Sequence, residues 1–94
     1  MSSNIDSVSV EDLTSDLYRR ITTATGGDHG AILELVARVE RHLGQLRQRL
    51  AVALVLDHGA SYAEVGRRLG VSRQAAHDAY ASEVRAEMHR RIRH

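Results

Sequence analysis

Between residues 67 and 78 the chain carries Arg67, Arg68, Ser72, Arg73, Gln74, His77 and Asp78. Their chemistry is recognition rather than bond-making. A guanidinium such as that of Arg73 can grip guanine O6 and N7, or a phosphate, with two parallel hydrogen bonds, and the Gln74 carboxamide can take adenine N6 and N7. Ser72, opening a helix, can donate to a phosphate where the helix dipole favours an anion. His77, one turn on, can add a base or phosphate contact. Asp78 can meet cytosine or orient a neighbouring Arg. Arg67 and Arg68 come just before this group and suit backbone phosphates, which position a protein without reading sequence. The bland alternatives are a simple cap at Ser72 and solvated surface side chains elsewhere.

Side chains of this kind act together only if a corner holds them. Ser61 and Glu64 fit a capping box, opening a short helix over about 62–69, and Gly70 ends it. Ser72 caps a last helix, which no Gly or Pro interrupts before about residue 92. Gly66 supplies the small residue that a steep crossing needs, and Gly70 the residue that tolerates a left-handed turn. Val65, Leu69, Val71, Ala76 and Ala79 are expected to lock the corner from inside. With Ala76 and Ala79 inward, the outer face holds Ser72, Arg73, Gln74, His77, Asp78 and Ala81. That combination is the pattern of a helix-turn-helix.

The run SYAEVGRRLGVSRQAAHDAY, residues 61–80, resembles the helix-turn-helix of sigma-factor region 4 and of many small actinobacterial regulators. The resemblance is close over 61–80 and loose over 50–84, and residues 1–49 resemble no family. It implies double-stranded DNA binding through the helix that begins at Ser72. A complete sigma factor is not expected, since 94 residues leave no room for a region 2 as well.

The rest of the chain is all-α by pattern, four to five helices, with no strand signal. Residues 1–8 are polar and aperiodic, expected as an unstructured tail before a single helical domain over 9–94. Ser9 caps a helix over about 10–24, with Val10, Leu13, Leu17, Tyr18 and Ile21 on one side and Gly26-Gly27 as its stop. Asp28 can cap a second helix over about 30–58. There Ile32, Val36, Val39, Leu43, Leu46, Leu50 and Ala53 recur at alternating spacings of four and three, the seam of a coiled coil or bundle. Gly44 leaves open whether this is one helix or two. The seam suits either a homodimer interface or burial against the 10–24 helix. Tyr80, Val84, Met88 and Ile92 make a second candidate stripe, so the tentative interface is Ile32, Val36, Val39, Leu43, Leu46, Leu50, Met88 and Ile92.

Composition sharpens the function class. The 94 residues contain no Cys, Pro, Phe or Trp, and 3% aromatics. A core of Leu, Val and Ala buries little area per side chain, so a small domain of this kind tends to complete itself by pairing. All 13 basic residues are Arg. Residues 1–30 carry a net −3 and the remainder +4, so the overall +1 hides a basic C-terminal part. The six His are scattered, with no H-E-x-x-H spacing, and no Gly-rich phosphate loop follows a strand. Hence no enzyme, metal site or cofactor is expected. No run is apolar enough for a membrane and the N-terminus lacks a signal pattern, so a cytoplasmic, nucleoid-associated protein is expected. The expectation is a homodimeric DNA-binding regulator. The alternative is a helical adaptor that binds RNA polymerase or another protein through residues 9–24 or the 32–53 seam.

Overall fold

Four short polar side chains decide where the helices begin. In the computed structural model, which describes residues 5–93, Ser9 Oγ accepts the Asp12 N–H at 3.1 Å and opens α1, Val10–Thr25. Asp28 Oδ2 accepts the Ala31 N–H at 3.1 Å at the start of α2, His29–His58. Ser61 Oγ accepts the Glu64 N–H at 3.1 Å to open α3, Tyr62–Leu69. Ser72 Oγ accepts the Ala75 N–H at 3.0 Å to open α4, Arg73–Ile92. Each cap satisfies one orphan amide and is worth about 1 kcal/mol. The described residues are all-α, without a strand.

Part of the expected tail is structured: Ile5–Ser7 form one 3-10 turn, closed by the Val8 N–H on the Ile5 carbonyl at 3.1 Å. Residues 1–4 of that tail lie outside the described residues. Gly44 does not break α2, which runs unbroken for 30 residues. An α-helix tolerates one Gly at a cost near 1 kcal/mol when its neighbours are good helix formers, as Leu43, Gln45 and Leu46 are.

Where the sequence pattern suggests one domain over 9–94, the chain divides into two compact units, one through Arg41 and one from His42. The first holds α1 and the beginning of α2. Its buried side chains are Ile21 on α1 and Ile32 on α2, with Leu35, Val36 and Val39 half-buried. Ile32 therefore belongs to the interior of its own chain and is no open interface residue. Of the α1 stripe only Ile21 is covered; Val10, Leu13, Leu17 and Tyr18 are exposed.

The second unit is built on Ala51, Val65, Ala76 and Tyr80, with Val55, Ala60 and Tyr62 packed against them. Val52, Ala81 and Val84 are also buried. The inward line of α4 is thus Ala76, Tyr80 and Val84, a four-residue repeat, with Ala81 beside it. This corrects two expectations: Ala79 is exposed and Ala81 is buried. At 100° per residue, Ala79 lies 60° from Ala76 on the side away from Tyr80 and Val84, whereas Ala81 lies on their side. Leu69 and Val71 are also largely exposed rather than locked inside. The stripe from Tyr80 to Ile92 splits in the same way, its first two members buried and Met88 and Ile92 exposed.

The far end of α4 is tied to α2 by charge. Arg91 Nη1 donates to Asp57 Oδ1 at 2.6 Å, Arg91 Nε donates to Glu87 Oε2 at 3.0 Å, and Arg90 Nε reaches Glu87 Oε1 at 2.9 Å. The hydrogen bond from Arg91 holds the Asp57 carboxyl below its ordinary value, and those from Arg91 and Arg90 do the same for Glu87. The Arg91 guanidinium is raised in turn, chiefly by Asp57. Because both carboxyls are depressed in the folded chain, the unfolded chain binds more protons over the intervening range. Stability from this tether is complete above the ordinary carboxyl range and falls as pH drops below about 4. Urea unfolding followed by circular dichroism at pH 7 and pH 3 is expected to show that loss, and Asp57→Asn to make the decline shallower.

Candidate nucleic-acid interface

Three residues, 70–72, separate α3 from α4, and their geometry rests on two glycines. Gly70 takes the left-handed conformation at φ 73°. Its N–H donates to the Arg67 carbonyl at 3.3 Å, and the Val71 N–H donates to the Gly66 carbonyl at 2.8 Å. This pair of bonds is a Schellman motif, which satisfies the last carbonyls of α3 while reversing the chain. Ser72 then caps α4 without delay.

Gly66 is buried, and a Cβ placed on it would sit 2.7 Å from the Val71 carbonyl oxygen and 2.8 Å from that of Ser72. Both obstacles are backbone, so neither can rotate away. The small residue needed at the corner is present for a specific reason: the turn and the start of α4 lie directly on the Cα of Gly66. The expected capping box is half made. Ser61 accepts its amide as anticipated, while the Glu64 carboxylate lies near Arg67 and Arg68 on the next turn, at 3.7 and 3.8 Å.

All seven polar residues singled out by sequence are exposed at this corner. Arg67 and Arg68 sit on the last turn of α3. Their contacts with Glu64 are long and solvent-exposed, and pairs of that kind contribute about 0–1 kcal/mol, so both guanidinium groups are easily redirected. Arg73, on the first turn of α4, makes no ion pair among the described residues. Gln74 Nε2 donates to Asp78 Oδ1 at 2.8 Å, an exposed i,i+4 pair. His77 meets the Tyr62 ring edge-on, with centroids 5.0 Å apart and planes at 76°, and its Nδ1 lies 3.7 Å from Asp78 Oδ1. The side chains of α4 are therefore held in a chain of contacts, Gln74 to Asp78 to His77 to Tyr62.

Two residues of this corner have roles that the sequence analysis did not assign, Glu64 beside Arg67 and Arg68 and Tyr62 against His77. Glu64 as the holder of Arg67 and Arg68, and Asp78 as the partner of Gln74, follow helical spacing and were legible. Tyr62 against His77 joins two helices, and no local spacing announces it. Residues 42–94 carry nine Arg against five Asp and Glu, so the unit that bears this corner is basic. Among the described residues no group of His, Asp or Glu is placed to hold a metal ion, and no helix is long and apolar enough to cross a membrane.

Comparison with known proteins finds no matching family, no matching curated protein and no matching solved structure.

Gly66→Ala is expected to destabilise the second unit by about 2 kcal/mol or more, the scale of forcing a methyl group against fixed backbone. Gly44→Ala is the matched control. A Cβ there meets nothing within 4 Å, so the change is expected to stabilise α2 by up to about 1 kcal/mol. Denaturant midpoints of the two variants moving in opposite directions is the result that checks this.

Proposed function

We propose that the chain is a sequence-specific double-stranded-DNA-binding transcription regulator, acting as a homodimer, with α3 and α4 as its helix-turn-helix. The observation that carries this reading is the Gly66 contact. A backbone approach that only glycine permits sets the start of α4 beside the end of α3, and the residues next to it are the exposed Arg73, Gln74, His77 and Asp78. The likeness of residues 61–80 to sigma-factor region 4 supports the same reading, as does the basic balance of the unit that holds them.

In this mechanism the first turns of α4 enter the major groove. Arg73, which has no ion pair to break, takes guanine O6 and N7 or a phosphate. Gln74 presents its oxygen to adenine N6 and frees its amide from Asp78 to reach N7. Breaking that exposed hydrogen bond costs little, since water or base replaces it. His77, steadied by Tyr62, makes the contact one turn on. Arg67 and Arg68 swing from Glu64 to the phosphates, with Ser72 adding a hydroxyl donor, and these contacts set register without reading bases. A nucleoid-associated cytoplasmic location goes with this role.

A second reading has its own observation. Val10, Leu13, Leu17 and Tyr18 lie exposed on α1 among Glu11, Asp12 and Asp16. That face suits a helical adaptor whose partner is another protein, such as RNA polymerase. Fluorescence anisotropy with random duplex across a salt series separates the two. A DNA binder gains affinity steeply as salt falls, because phosphate contacts release counterions; a flat response at low ionic strength favours the adaptor.

Within the DNA reading, Gln74→Ala is expected to cost about 1–3 kcal/mol on the selected site and to relax preference at one base pair. Arg68→Ala is expected to weaken all duplexes alike and to reduce the salt slope by about one. Selection of bound fragments from a random pool, followed by titration of both variants, gives the comparison. Identical behaviour of the two on every duplex would overturn this division of roles.

A further inference from the structure

Two apolar stripes of this chain lie uncovered, and they match. On α1 they are Val10, Leu13 and Leu17; on the part of α2 in the second unit they are Leu43, Leu46 and Leu50. Both follow the spacing i, i+3, i+7, so each runs roughly 10 Å along its helix on one side. The seam of α2 thus changes character along its length. Ile32, Val36 and Val39 are buried or half-buried in the first unit, and Leu43, Leu46 and Leu50 are 56%, 42% and 58% exposed.

Charge distinguishes the two stripes. Leu43, Leu46 and Leu50 line a groove with Leu69, and the charged residues on its rim are Arg47 and Arg68, with no acid among them. Residues 10–17 carry Glu11, Asp12 and Asp16 and no base. At 100° per residue, Glu11 and Asp16 fall on opposite borders of the α1 stripe. Asp16 there holds Arg19 at 2.8 Å, an exposed i,i+3 pair of the kind that contributes about 0–1 kcal/mol and is readily redirected. One surface is therefore apolar with acidic borders, and the other is apolar with a basic rim.

We infer that α1 of one copy seats on the leucine groove of a second copy, reciprocally, so that the two copies exchange their α1 stripes. This rests on the homodimer reading above and assigns its interface. Two-fold symmetry makes the contact twice, because each copy holds both halves. Six large apolar side chains per copy then contribute toward the about 800 Å² per partner that a stable interface buries. Laying the leucine stripes against each other instead would gather Arg47 and Arg68 of both copies, with only the long contact from Glu64 to Arg68 at 3.8 Å to offset them. Opposite borders favour the exchanged arrangement and disfavour the symmetric one.

The test uses two charge-reversed full-length chains, Glu11→Arg/Asp16→Arg and Arg47→Glu, with Arg68 left intact because it belongs to the proposed DNA contacts. Sedimentation equilibrium is expected to give a wild-type dimer. Alone, the Glu11→Arg/Asp16→Arg chain faces like charges at both contacts and its dimer is expected to weaken by about tenfold or more; the Arg47→Glu chain, which keeps Arg68, is expected to weaken by a smaller factor. An equimolar mixture restores opposite charges at both contacts and is expected to recover a heterodimer close to wild-type affinity. That recovery also shows that both variants are folded, with far-UV circular dichroism as the independent check. A wild-type dimer with no recovery on mixing overturns the exchanged interface and leaves the homodimer reading standing. A wild-type monomer overturns both. Duplex binding by the same chains is read separately, so recovery of the dimer without any DNA binding supports the interface and counts against the DNA-binding function alone.

Discussion

The carbonyl oxygens of Val71 and Ser72 press on the Cα of Gly66 so closely that even a methyl group has no room, and the second unit is organised around that approach. It lets α4 start with only three residues between it and α3, the Gly66 and Arg67 carbonyls being satisfied by the Gly70 turn. Helices brought this near can share a core made of small side chains. Ala76 is fully buried and Val65 nearly so, and Tyr80 is the one large ring among the buried members of the cluster, with Tyr62 half-buried against it. A larger residue at position 66 would part the helices and leave that cluster too thin to exclude water.

The same economy explains what holds the rest of α4. Beyond Val84 its large apolar residues, Met88 and Ile92, are exposed, so packing does little to anchor its last turns. The guanidinium of Arg91, shared between Asp57 and Glu87, supplies a directional hold there instead. Each half of α4 thus has its own means of attachment, apolar near the corner and ionic at the far end. The polar residues of the first turns are left free of structural duty apart from the cap at Ser72 and the light contacts among Gln74, Asp78, His77 and Tyr62. Side chains held by contacts that cost little to break are suited to exchange them for a ligand's.

Two units this small have little interior, and most of the leucines stay at least partly exposed. The exposed stripes on α1 and α2 are what remains after two small cores have been filled, and their opposed charged borders give that leftover surface a direction. The proposed homodimer, the proposed DNA recognition and the inferred pairing of the stripes all draw on this surplus. A single copy offers one α4, whereas a symmetric pair presents two at a fixed spacing.

What the amino-acid order determined by itself was local. The caps at Ser9, Asp28, Ser61 and Ser72 and the stop at Gly70 follow from side chains within four residues of the amides and carbonyls they satisfy, whereas the pattern left open whether α2 runs through Gly44, which it does. The need for glycine at 66 was legible for the same reason, because five or six residues separate it from the carbonyls it faces. Tertiary structure decided which face of each helix is covered. Ala79 and Ala81 are both alanine, and only the line from Ala76 through Tyr80 to Val84 selects the second for burial. Ile32 and Leu50 occupy equivalent places in one seam, yet one is buried and the other bare. His77 meets Tyr62 only because two helices bring them together. A periodic pattern states that a stripe is apolar; burial depends on what the folded chain places opposite, and that is a property of distant residues.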